Sequence, residues 1–180
     1  MKPTPPDPQS PKDIWDEQYH LLKGNPWLWL HKAESLMTAF EALIVEGDRM
    51  AQADEPRRLE SVVYMLAGFA MENLLKGRLI ALQGAAAQSG PFKFKSHDLR
   101  QLAADARYLL SDGENRLLER LEQFAVWTGR YPIPMNPEDM RPRERPGGGF
   151  APRTYHYQGE DWPAIRGLVE RFAADLRAMC

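Results

Sequence analysis

Val62 to Leu82, VVYMLAGFAMENLLKGRLIAL, constrains this chain more than any other stretch. With the residues just before it, it places Leu59, Val62, Val63, Leu66, Phe69, Ala70, Leu74 and Ile80 at the spacing of a helix with a broad apolar stripe. Glu72, Asn73 and Lys76 interrupt that stripe near its middle. An unsatisfied polar group beside a core costs about 1–3 kcal/mol, and a charge costs more. The stretch therefore predicts a central helix that carries a polar site.

The other segments supply helices to pack against it. Residues 1–13, MKPTPPDPQSPKD, are dense in proline and predict a disordered tail, with a single domain over 14–180. Residues 14–23 suit a short amphipathic helix ending at Gly24. Asn25-Pro26 is a helix start, with Asn as cap and Pro where no backbone N–H is needed. Trp29, Ala33, Leu36, Met37, Phe40, Leu43, Ile44 and Met50 then keep helical spacing, and Pro56 is expected to open the central helix. The two long helices read as an antiparallel hairpin.

Gly84–Gly90 ends the second of them, and Ser96 is the expected cap of a helix through Leu99, Leu102 and Ala106. Ser111 and Glu114 match a capping box, and Gly129 stands where a left-handed helix end is wanted. Residues 130–160 hold six prolines and a triple glycine, which no regular element crosses. Trp162-Pro163 opens the last helix. The expected fold is all-α, an up-and-down bundle of about five helices with a long Pro/Gly/Arg loop before the last.

Charge and cysteine bound the function. A net charge of −2 excludes a protein that coats nucleic acid by bulk charge, though a local basic patch remains compatible. The single cysteine, Cys180, allows no internal disulfide, which suits a reducing cytosol. No signal pattern or membrane-length apolar run is present, so a cytoplasmic protein without a membrane partner is expected. His20, His31, His97 and His156 lack metal-ligand spacing, and no phosphate-loop or dinucleotide pattern occurs, so no metal or cofactor is expected.

Four constellations carry candidate chemistry. Glu72 and Lys76, four apart, can meet on one helix face beside Asn73, either as an ordinary ion pair or as part of a site. Gly68 and Gly77 on the same helix cost about 1 kcal/mol each, which suggests close helix approach or ligand access. His97 and Asp98 stand at a helix start, where a neutral imidazole is a candidate base and where both residues equally suit a plain helix cap. Arg130 and Tyr131 follow a helix end and suit either the helix dipole or an anion with a stacked ring. Arg141, Arg143, Arg145 and Arg153 lie among Phe150, Tyr155, His156 and Tyr157, offset by Glu138, Asp139 and Glu144. That loop suits single-stranded nucleic acid or simple solvation.

ENLLKG at 72–77, HDL at 97–99 and GRYP at 129–132 together resemble the prokaryotic HEPN-domain superfamily over roughly residues 60–132. The resemblance implies a helical bundle, often a homodimer, that binds a nucleotide or RNA in a toxin–antitoxin or defence setting, in some members beside a nucleotidyltransferase partner. It implies that Lys76 and Arg130 hold phosphate, that Tyr131 stacks, and that Glu72 and Asp98 orient the cations, with Asn73 beside them. The ribonuclease members carry an Arg followed four to six residues later by a His, and this chain has no such pair. A metal-independent endoribonuclease would therefore have to bring His97 and Arg130 together by another route. A non-catalytic interaction and dimerisation module is the third reading.

Overall fold

The computed structural model describes residues 11–56, 59–84, 95–132, 137–141, 143–144, 150–151 and 161–180. Among the described residues there are six α-helices: α1 (Pro11–Lys23), α2 (Pro26–Gln52), α3 (Glu60–Gln83), α4 (Leu99–Asp105), α5 (Asp112–Gln123) and α6 (Asp161–Arg177). The fold is all-α as expected. Within 133–160 the described pieces are one 3₁₀ turn, Pro137–Met140, and a two-residue antiparallel pairing of β1 (Arg143–Glu144) with β2 (Phe150–Ala151). The proline-rich segment is expected to run to residue 13, but α1 already begins at Pro11, since the first helical turn tolerates proline. Residues 1–10 lie outside the described residues.

Helix α3 is the axis of the bundle. Thirteen of its 24 residues are buried, including Tyr64, Ala67, Met71, Leu75 and Leu79, which lie off the stripe read from spacing. The helix is enclosed on several sides because α2, α4, α5 and α6 all pack on it. Gly68 and Gly77 resolve into close helix approach. A Cβ on Gly68 would stand 2.7 Å from the Leu121 carbonyl oxygen, and one on Gly77 would stand 2.9 Å from the Trp29 Cβ. The second contact sets the end of α3 beside the start of α2, the antiparallel hairpin expected.

Several helix ends match their signals. Asn25 Oδ1 accepts from the Trp27 amide at 3.0 Å, and Ser111 and Glu114 form the reciprocal capping box. Three ends differ. Helix α3 starts at Glu60, after Leu59 and without a side-chain cap, rather than at Pro56. Helix α4 is capped by Asp98, whose Oδ1 accepts from the Gln101 amide, while Ser96 Oγ accepts from the Asp98 amide one step earlier. Gly129 has φ of −79°, so it is no left-handed cap. It closes a π-turn over Phe124–Thr128, and its lack of a side chain matters because a Cβ there would lie 2.5 Å from the Met65 Cβ.

Candidate functional site

The polar residues of α3 find their partners across the bundle. Glu72, 9% exposed, accepts from Lys76 Nζ through Oε1 at 2.7 Å, one turn along its own helix. Its Oε2 meets His97 Nδ1 at 2.8 Å, 25 residues away in sequence. An ionised carboxylate only accepts, so Nδ1 must be the donor. In the neutral ring this leaves Nε2 as the acceptor. The burial is asymmetric: the side chains of Glu72 and Lys76 are 11% and 6% exposed, that of His97 55%. A buried ion pair thus holds a half-exposed imidazole by one nitrogen.

The backbone around His97 is held from both sides. Asp98 caps α4, and the Leu99 amide donates to Glu122 Oε2 at 3.0 Å while the Leu99 side chain is fully buried. Burial holds the Glu122 carboxyl above its ordinary range; the Leu99 and Arg100 contacts oppose this, and nearby Asp98 and Glu119 add to it. Asp98 therefore serves the helix end.

Arg130 approaches the same helix from another segment. The π-turn ends α5, and the Arg130 guanidinium carbon then stands 4.9 Å from the centroid of Phe69, within cation–π range. Phe69 lies three residues before Glu72 and four before Asn73, so it shares their side of α3. Asn73 Nδ2 donates to the Phe69 carbonyl at 2.7 Å. Arg130 is exposed and makes no ion pair among the described residues, and Tyr131 beside it is 46% exposed. π-turns are frequent at functional sites. On its other flank Asn73 lines a shallow cleft of about 280 Å³ with Leu22, Lys23, Leu28 and Trp29.

The structure thus brings Glu72, Lys76 and His97 into one bonded cluster and sets Arg130 a turn away, with no hydrogen bond between His97 and Arg130. Lys76 is turned inward to Glu72, so of the predicted site cations Arg130 is the one that faces outward. The described residues contain no cluster of three or more His, Cys, Asp or Glu side chains suited to a metal. In the long loop, Arg141 pairs with Glu138 at 2.8 Å, whereas Arg145, Arg153, Tyr155, His156 and Tyr157 lie outside the described residues.

Two further polar networks were not anticipated. Tyr64, fully buried, donates to Asp161 Oδ2 at 2.6 Å, and Arg120 pairs with the same oxygen. Arg78 donates to the Ala106 carbonyl, the Tyr108 hydroxyl and Asp175, and lies 4.3 Å from the Tyr108 ring centroid. Burial pushes the Tyr108 phenol up to about 12. Arg78 and Tyr64 also stand on the central helix, which was the available signal; the carboxylate partner of each is 97 residues away. Compared with family models, with curated proteins and with solved structures, the chain matches none.

Proposed function

We propose that the chain is an HEPN-like helical domain that binds a phosphate-bearing ligand, a nucleotide or single-stranded RNA, at the edge formed by His97, Arg130 and Tyr131. The observation that carries this reading is the Glu72–His97 bond at 2.8 Å, which presents the far side of a half-exposed imidazole to the outside. Lys76 neutralises Glu72, so among these three segments' predicted site residues the exposed cation open to a ligand is Arg130. Arg130 suits phosphate by its fork of N–H donors and His97 by Nε2–H when protonated. Tyr131 offers a ring for a base. A homodimer or an association with a nucleotidyltransferase-type partner is compatible with this role.

The test is binding of a short fluorescent single-stranded RNA, followed by anisotropy at moderate salt. Arg130→Ala should weaken binding about tenfold or more, as expected for a charge-assisted contact of about 1.5–3 kcal/mol. His97→Ala should weaken it as well. Affinity unchanged in both variants would remove the proposal.

The same bond favours a second reading, metal-independent cleavage of RNA. A carboxylate that holds Nδ1–H orients the imidazole as a general base. Nε2 would take the proton of a ribose 2′-hydroxyl as that oxygen attacks the adjacent phosphorus. The 5′-oxygen would leave with a proton from water, and Arg130 would stabilise the added negative charge. Intact RNA after long incubation in chelator, with binding retained, would discard cleavage and leave the binding role standing.

A further inference from the structure

Helices α5 and α6 run antiparallel along a cleft of about 460 Å³ that shares no residue with the His97 edge. Two ion pairs fix its ends. Arg120 meets Asp161 at one end, and Arg171 reaches Glu114 Oε1 at 2.8 Å at the other. At 1.5 Å per residue, about 9 Å of α5 separate the two. The floor is apolar, since Leu117 and Leu168 are both buried, and α6 leaves the cleft open by placing Ala164 and Gly167 along it. No described atom lies within 4 Å of the point where a Gly167 Cβ would stand.

Charge decides what such a cleft can take. Glu114 is matched from within: its Oε2 accepts from the Ser111 amide at 2.7 Å and hydroxyl at 2.9 Å, and its Oε1 from Arg171. Asp161, buried, accepts from Tyr64 and Arg120. Each carboxylate thus has an arginine, and neither calls for a further cation. Arg116 is the third arginine of the lining, exposed and without an ion pair among the described residues. Three arginines against two carboxylates leave one positive charge in excess.

We propose that this cleft binds a small organic anion, with its single carboxylate or phosphate group on Arg116 and its apolar body along Leu117 and Leu168. Clefts of this size between bundle helices, apolar with a few placed polar groups, are where small ligands are held. A guanidinium receives either headgroup through paired N–H donors. The length between the ion pairs suits a bicyclic body. The inference does not depend on what the His97 edge binds.

Amide ¹H–¹⁵N spectra of the full chain test it, with naphthoate and naphthyl phosphate as probes and naphthyl methanol as their neutral analogue. At least one anion should give saturable shifts centred on residues 111–120 and 164–171, and the tighter of the two identifies the headgroup. Arg116→Gln should raise its Kd at least tenfold, whereas Lys32→Gln, the same charge change on α2, should leave it unchanged. Gly167→Leu, which fills the cleft, should abolish the shifts while Tm holds or rises. No saturable shift with either anion at millimolar concentration overturns the proposal. A neutral analogue that binds as tightly also overturns it, as does a Kd that Arg116→Gln leaves unchanged or that Lys32→Gln raises equally. Should Gly167→Leu lose helicity, Arg116→Gln decides alone, because that side chain is exposed.

Discussion

Replacing Glu72 by methionine should expose how the site and the core depend on each other. Methionine keeps the length of the side chain and removes its charge. Lys76, whose side chain is 6% exposed, then keeps an ammonium beside the core with its one carboxylate gone. Breaking a buried pair from one side costs about 3–5 kcal/mol, because the remaining charge stays buried and uncompensated. At roughly 2–4 °C per kcal/mol for a chain of this size, Tm should fall by roughly 10 °C. Adding Lys76→Met removes the stranded charge, and an apolar pair of similar volume is commonly neutral or better. The double variant should therefore regain stability to within about 1 kcal/mol of the parent. The lost His97 bond adds little, since His97 is more than half exposed and water replaces the carboxylate. Urea unfolding of the four chains supplies the cycle. A loss below about 1 kcal/mol in Glu72→Met, or a double variant as unstable as the single, would refute the reasoning.

Three further outcomes are expected. Gly68→Ala should destabilise by about 1–2 kcal/mol, because the new methyl meets backbone at Leu121 and the strain exceeds the helix-propensity gain; Gly167→Ala, with open space around it, should stabilise by up to about 1 kcal/mol. Both are read by thermal unfolding. Glu122→Gln should flatten part of the pH dependence: the folded carboxyl lies above its unfolded value, so the native state binds more protons and the parent loses stability as pH rises through that window above 4.5. Amide in place of acid removes that loss and keeps an acceptor for the Leu99 N–H, so the variant should gain on the parent at pH 7 relative to pH 4 in urea titrations. Tyr64→Phe should cost about 1 kcal/mol by removing the buried bond to Asp161, which keeps Arg120; an unchanged urea midpoint would deny that network a role.

Periodicity made the helices legible, and capping chemistry made some of their ends so. Asn25-Pro26 and Ser111 with Glu114 are local signals, complete within four residues, and the chain obeys them. Where two residues compete for one cap, locality fails: Asp98 takes the helix and Ser96 supports Asp98. The π-turn before Gly129 has no periodic signature, and the closeness of Met65 that leaves no room for a side chain at Gly129 is a tertiary contact. The three polar residues of α3 were visible as breaks in an apolar stripe, and Glu72 with Lys76 at i, i+4 was readable as a pair. Which distant group completes that pair was not. His97, Asp161 and Asp175 meet α3 only through tertiary packing, and no spacing along the chain encodes the match.

The central claim is that buried Glu72 holds His97 by Nδ1 and leaves Nε2 outward. Long-range ¹H–¹⁵N correlation spectra of the histidine rings, recorded on the neutral imidazole, read the tautomer directly. The account predicts a protonated Nδ1 and an unprotonated Nε2 for His97, with the preference lost in Glu72→Met. A His97 ring protonated at Nε2 in the parent chain would contradict it.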